Sequence, residues 1–231
     1  MHREVTSRIR GATGWINEPE LTDRPGAVLP DGCMDLMWID GELLVSGADT
    51  GARPVPRTGG TKVGVRFAPG HLPLALDLPA AALADQRVAL RDLPLDDGGA
   101  RAVARAEAEL SDTGARVDVL EQLAVDLGVG RESTAFADEV ALRAGSGDTA
   151  ADIADQLGLS ARHLHRRCLV AFGYGPKLLG RVLRFKRAVA LGRAGGQGAP
   201  VAAEAGYADQ AHLARDVRAL AGTTWTDLVT R

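Results

Sequence analysis

Two segments near the C-terminal end repeat one pattern: a short apolar helix, a glycine turn and a second helix with a polar cap. They read IADQLGLSARHLHRRCL at 153–169 and VAAEAGYADQAHLARDV at 201–217. In the first segment Gly158 favours a left-handed stop and Ser160 a helix cap, and Asp209 is the expected cap in the second. A helix–turn–helix whose second helix carries long hydrogen-bond donors suits the DNA major groove. The repeat therefore predicts two groove-reading units.

A single helix is predicted between the two units, over residues 176–194. It opens with Pro176, which is favoured in a first helical turn, and carries an apolar stripe. Roughly 18 residues at 1.5 Å each span about 27 Å, close to the ~34 Å of one turn of DNA. The spacing predicts that the two second helices enter successive major grooves.

The front of the chain has a different pattern, of short alternating strands. A turn at 30–32 precedes a predicted strand at 33–39, and Asp40-Gly41 predicts a hairpin to a partner strand. Both faces of 33–39 are largely apolar, so we expect this strand to be covered on two sides. Further strands are predicted at 5–9 and 62–67, within an irregular opening over 1–26, a loop over 49–60 and at most a short helix after Pro79.

Three helices are predicted in the middle, at 100–110, 117–127 and 133–143, for packing between domains or for a dimer contact. The fold class is therefore α+β. It comprises a β-rich sensor module over 1–95, a helical linker or dimerisation segment over 96–144, and an all-α DNA-binding domain over 145–231.

Composition places the chain among globular proteins, with 45% hydrophobic and 25% charged residues. No apolar run is long enough for a membrane span, and two distant cysteines make no disulfide framework, so we expect a cytoplasmic protein without a membrane partner. The net charge of −3 hides an asymmetry, because residues 145–231 hold 12 basic and 7 acidic side chains. A basic C-terminal third is consistent with DNA binding.

The C-terminal third resembles the AraC/XylS family of bacterial transcription regulators. Besides the two units in register, the connecting helix matches at Pro176, Arg184 and Ala188, and the second unit matches at Gly206-Tyr207, Asp209 and Arg215. Cys168, Leu213 and Val217 stand where the family usually has phenylalanine. The PDGCMDLMW motif at 30–38 and GVRFAPG at 64–70 resemble a small sensor-like module that precedes such units in some members.

The resemblance implies which side chains reach DNA. Arginine recognises guanine through two hydrogen bonds, while contacts to phosphate fix the register without reading sequence. The candidate base contacts are Arg162, His165, Arg166, Gln210, Ala211, His212 and Arg215. The candidate phosphate contacts are Ser160, His163, Lys177, Arg181, Asp209 and Arg218.

A small-molecule effector is a candidate ligand of the front module, although an ordinary apolar core explains the same residues about as well. The candidate pocket residues are Trp15, Cys33, Met37, Trp38, Arg66, Phe67 and His71. Cys33 fits a small buried side chain better than a redox or alkylation sensor. His163 and His165 point about 200° apart on a helix, so no metal site is expected.

The resulting interpretation is a sequence-specific transcription regulator controlled by an effector, with no catalytic residues and no cofactor. Double-stranded DNA is the expected partner, and RNA polymerase and a second copy of the chain are further candidates. One alternative is a cysteine-dependent DNA-repair or DNA-localised enzyme using Cys33, although no Cys–His pair accompanies it. Another is an interaction protein that binds no DNA.

Overall fold

The structure, a computed structural model, describes residues 2–18, 26–55 and 60–230. It confirms the α+β class, with a β-rich front module followed by helices. Parts of the predicted irregular opening, at 19–25, and of the predicted loop, at 56–59, lie outside the described residues.

An antiparallel six-stranded sheet forms the front module, in the order β1-β2-β7-β4-β5-β8, and a separate ribbon pairs β3 with β6. The strands are β1 His2–Thr6, β2 Ala12–Asn17, β3 Ala27–Val28, β4 Met34–Ile39, β5 Glu42–Ser46, β6 Arg53–Pro54, β7 Lys62–Phe67 and β8 Arg87–Ala89.

The first hairpin corrects the prediction of one strand at 5–9. The chain turns at Gly11, whose φ of +74° is favourable for glycine, and β2 then carries Trp15 in a region predicted to be irregular. The indole of Trp15 packs against Gly64 of β7, where an added Cβ would be 2.3 Å from the ring. Apolar and polar residues do not alternate strictly around Gly14, so the periodicity of the sequence does not indicate this strand.

The central strand β4 is buried on both faces, as predicted. On one face Leu36 pairs with Val65 and Val45 in the main core; we call this the core face. On the other, Asp35 pairs with Arg66; we call this the ionic face.

Ten α-helices occur among the described residues, and four of them have only five to seven residues each. Leu72–Leu76 precedes Pro79 rather than following it, and residues 80–82 form only a 3₁₀ turn. The helices are α1 Leu72–Leu76, α2 Asp97–Thr113, α3 Val117–Leu127, α4 Ala135–Ser146, α5 Ala150–Gln156, α6 Ala161–Phe172, α7 Pro176–Arg193, α8 Gly198–Glu204, α9 Gln210–Ala221 and α10 Trp225–Val229.

The middle helices pack on different parts of the molecule. Helices α2 and α3 cover the core face of the sheet, where Val103 and Leu120 are buried. Helix α4 packs mainly against α7 of the C-terminal part. No helix among the described residues is both long and apolar enough to cross a membrane.

The two helix–turn–helix units pack into two different apolar clusters. Leu164, Cys168 and Phe172 of α6 belong to the same core as the sheet. Leu213 and Val217 of α9 belong to a smaller, second core. The first unit is therefore packed into the front module, whereas the second has a core of its own.

Candidate DNA-binding surface and sensor module

The first helix–turn–helix consists of α5 and α6. Thr149 and Asp152 form a capping box at the start of α5, and Ser160 caps α6 by accepting a hydrogen bond from the His163 N–H at 3.2 Å. Leu164 and Cys168 face inward and are fully buried. These local interactions fix α6 so that its opposite face is free for a ligand.

The outer face of α6 is basic. Arg162, His165 and Arg166 are all exposed, and the structure brings these three predicted base contacts together on one helix. His165 rests against Gly175, where an added Cβ would approach its ring to 2.7 Å. Arg167 points elsewhere, because its guanidinium stacks 3.7 Å from the centroid of Phe136.

The second unit presents a similar surface on α9. Asp209 caps this helix, accepting from the His212 N–H at 2.6 Å, and Gln210, Ala211 and Arg215 are exposed. His212 is half-buried and meets the ring of Tyr207 edge to face, with centroids 5.1 Å apart. Since its carboxylate is occupied as the cap, Asp209 has only its backbone to offer a phosphate.

A groove of about 610 Å³ runs between the two units along α7. Lys177 lies on its wall and is exposed, as a phosphate contact requires. Arg181 also lines it, but the Arg181 Nε donates to Asp216 of α9 at 2.8 Å. The 18-residue α7 joins the two units as the sequence predicts.

Comparisons with known proteins agree with this arrangement. A family model for a helix-turn-helix domain matches residues 153–231, and one for a domain of unknown function, DUF6597, matches residues 12–89. The matched C-terminal part is therefore a helix-turn-helix domain of the AraC type. A domain of this type identifies the chain as a DNA-binding transcription regulator. A search of curated proteins found no match.

A solved structure of ToxT from Vibrio cholerae shares this fold. An apo form of a ToxT variant has a TM-score of 0.51 at 9% sequence identity, with 99% of each chain covered. A second ToxT structure, at 1.65 Å resolution, has a TM-score of 0.48 at 9% identity, covering 95% of this chain and 97% of ToxT.

The predicted effector pocket is split by the structure. Trp15, Cys33 and Arg66 lie around Asp31 and Asp35 on the ionic side of the sheet. Met37 pairs with Gly64 beneath Trp15 and belongs to the same face.

The other three predicted residues lie elsewhere, which corrects the predicted pocket. Trp38 and Phe67 are buried in the main core on the opposite face, because side chains alternate along a strand. The His71 Nε2 lies 2.7 Å from a carboxylate oxygen of Asp138 on α4.

The ionic face is organised by Asp35, which is 7% exposed. The Trp15 Nε1 donates to its carboxylate at 2.7 Å and the Arg66 Nε at 3.2 Å, while Arg66 also pairs with Asp31 at 3.3 Å. Burial raises the pKa of Asp35 above its ordinary value, although Arg66 and Trp15 oppose this. Burial acts to lower the pKa of Arg66, but the charges of Asp35 and Asp31 outweigh it. The net pKa lies above the ordinary value, so the guanidinium stays charged.

Cys33 is poorly suited to nucleophilic chemistry. Burial, assisted by the charge of Asp31, raises the pKa of its thiol to about 12. The nearby Lys186 ammonium, with Nζ 3.8 Å from Sγ, does not overcome this. A thiol that remains protonated at neutral pH lacks the activation that a repair nucleophile requires.

Sequence reasoning missed the polar residues that hold the sites together. The pattern of β4 predicts Asp35 as a strand residue but does not indicate that it accepts hydrogen bonds from Trp15 and Arg66. Asp216 lies within the second repeat and draws no attention there as a helix-surface residue. Its place on the apolar side of an amphipathic helix could have indicated a buried, paired charge.

Proposed function

We propose that this regulator reads a specific duplex with α6 and α9 in two successive major grooves. The carrying observation is that two capped, basic helices expose equivalent faces and are joined by one helix of 18 residues. We retain the division into a module over 1–95, a helical segment over 96–144 and a DNA-binding domain over 145–231 as part of this proposal.

The exposed residues support separate roles in this reading. The proposed base contacts remain those on the outer faces, namely Arg162, His165, Arg166, Gln210, Ala211, His212 and Arg215. Phosphates are proposed at Lys177, His163 and Arg218, which are exposed, and at the helix starts near Ser160 and Asp209. The Nε of Arg181 is already engaged by Asp216, unlike the side chain of Lys177, which is exposed.

Selection from a random duplex library, with the full chain at physiological salt, tests the proposal. The expected product is a site with two conserved blocks about one helical turn apart. Arg166→Ala should relax one block and Arg215→Ala the other, while Arg101→Ala, an exposed position on α2, should change neither. Absence of any sequence preference in the wild-type protein would contradict the proposal.

We further propose that the ionic face receives a regulatory small molecule. Its support is a charged cluster that reaches α7, since Lys186 lies 4.0 Å from Asp31. A ligand bound there would act on α7, the helix that joins the two helix–turn–helix units. Thermal unfolding of the full chain against a metabolite library tests this, with Trp15→Phe expected to abolish any ligand-induced rise in Tm; persistence of the rise in that variant argues against this site.

The proposed setting is the cytoplasm of a bacterial cell, where the protein acts without catalysing a reaction. RNA polymerase and a second copy of the chain are the proposed protein partners. Duplex binding tested with and without polymerase, together with the mass of the free protein in solution, addresses both. A monomeric protein that neither recruits nor excludes polymerase at its selected site would contradict this part.

A further inference from the structure

The buried side of the second reading helix carries a charge. Asp216 is only 6% exposed, between the fully apolar positions Leu213 and Val217. Removing a carboxylate from water is costly unless it is paired and hydrogen-bonded. Asp216 therefore needs partners that neutralise and hydrogen-bond its carboxylate.

Both partners of Asp216 come from the connecting helix α7. The Arg181 Nε donates to one carboxylate oxygen at 2.8 Å, and the Arg184 Nη2 lies 3.5 Å from the other. Because the two arginines stand three residues apart, they lie on the same face of α7 and meet both oxygens of one acceptor. The contact joins α9 to α7 in one orientation, as charge-assisted hydrogen bonds require a defined geometry.

The contact between α7 and α9 extends through Tyr207 to His212, a proposed base contact. The Arg184 guanidinium stacks 4.7 Å from the ring centroid of Tyr207, which is 4% exposed. Tyr207 in turn supports His212, a proposed base contact. Burial, followed by the charge of Asp216, raises the pKa of Tyr207 to about 12, so its hydroxyl stays protonated.

The first recognition helix, α6, has no buried ion pair of this kind among the residues that the structure describes. The inward face of α6 presents Leu164, Cys168 and Phe172 to the large core that it shares with the front module. Helix α9 has only the smaller second core. Apolar packing alone is less directional than a pair of ionic hydrogen bonds.

We propose that Asp216 is a positioning residue that, through Arg181 and Arg184, sets the angle of the second recognition helix against α7. Asp216 touches no DNA in this role. Arg181 then serves orientation rather than phosphate binding, which changes the role expected from the sequence. The inference rests on the proposed two-groove reading.

The test uses the full chain and two probes: the selected duplex and the same duplex with its second half-site scrambled. Asp216→Asn should weaken binding to the intact site about tenfold or more, within the range of a lost base contact. Binding to the scrambled probe should be unchanged or slightly stronger, because the variant carries one negative charge less. Asp216→Glu, which keeps the charge, should restore part of the discrimination.

A general loss of folding gives a different pattern. An equal loss on both probes, accompanied by a lower Tm, means that Asp216 serves stability alone and overturns the inference, as does unchanged discrimination. If Asp216→Asn fails to fold, Arg181→Gln breaks the same pair from a position whose side chain is 36% exposed. A wild-type protein that does not distinguish the two probes instead refutes the two-groove reading itself.

Salt dependence separates the two roles of Arg181. Lys177→Ala should reduce the slope of log K against log salt by about 0.9, as expected for one lost phosphate contact. Arg181→Ala should leave that slope unchanged while reducing discrimination between the probes. A reduction equal to that of Lys177→Ala would show that Arg181 holds a phosphate and would overturn its assignment to orientation.

Discussion

The backbone N–H of Ala52 donates to the carbonyl of Leu220 at 2.7 Å. This bond joins a loop of the front module to the C-terminal end of α9, whose last carbonyls have no partner within the helix. Leu29, next to the same ribbon, packs against the second core. The module therefore touches both readers: the first through a shared core and the second through this contact.

Replacing Ala52 by proline should loosen the second reader, because proline lacks the N–H donor. We expect Ala52→Pro to cost about 1 kcal/mol of unfolding free energy and to speed hydrogen exchange near the end of α9. Ala52→Ser keeps the donor and is the control. Unchanged exchange in α9 with proline at this position would show that the bond contributes nothing.

Neighbouring arginines on α6 should behave differently. Arg166→Ala should cost about 1–3 kcal/mol against the selected sequence and relax one base position, since Arg166 is exposed on the reading face. Arg167→Ala should leave base preference intact and lose only its stacking on Phe136, about 0.5–1 kcal/mol. Base-substitution profiles and Tm values measure both effects; loss of base preference in the Arg167 variant would reverse the assignment.

Gly64 should not tolerate a methyl group. The added Cβ would lie 2.3 Å from Trp15, forcing the indole off the sheet and breaking its hydrogen bond to Asp35. Gly64→Ala should therefore destabilise by about 1–3 kcal/mol and shift tryptophan emission. Gly145→Ala, where the nearest atom, on Leu183, is 3.7 Å away, is the matched helical control and should not destabilise. Equal Tm values for the two variants would contradict this packing.

The contact of His71 with Asp138 should give an acid-sensitive contribution to stability. Burial acts to raise the pKa of Asp138, but hydrogen bonds from His71 and Thr134 outweigh it and hold the pKa below the ordinary 3.8. A carboxyl whose pKa is lowered in the folded protein stabilises the fold at any pH above its ordinary pKa. This stabilisation is lost as the pH falls through the pKa of the folded state.

The comparison of wild type with Asp138→Asn follows from that sign. The difference in Tm should be present at pH 6 and should shrink below about pH 4. Asp112→Asn, at an exposed position on α2, is the control for the loss of one carboxylate. A difference that grows on acidification would mean that the contact has been assigned the wrong sign.

Much of the C-terminal third was predictable because its signals are local. Ser160 and Asp209 cap their helices through side chains three residues from the bonded N–H, and Pro176 opens α7 as its missing donor allows. The signal for the front hairpin at Asp40-Gly41 is equally local, and β4 and β5 lie on either side of this turn as expected. By contrast, β2 and the short β8 lack a clear alternation and were missed.

The sequence alone determined that two basic helix–turn–helix units stand at the ends of one helix, because caps, glycine turns and helical periodicity act within a few residues. Only the tertiary structure decided that the first unit shares its core with the sheet, that Trp38 and Phe67 turn away from Trp15, and that Asp216 holds the second unit. These facts depend on contacts between residues far apart in the chain. Such contacts arise when whole elements pack, and no local pattern encodes which partner a buried charge will meet.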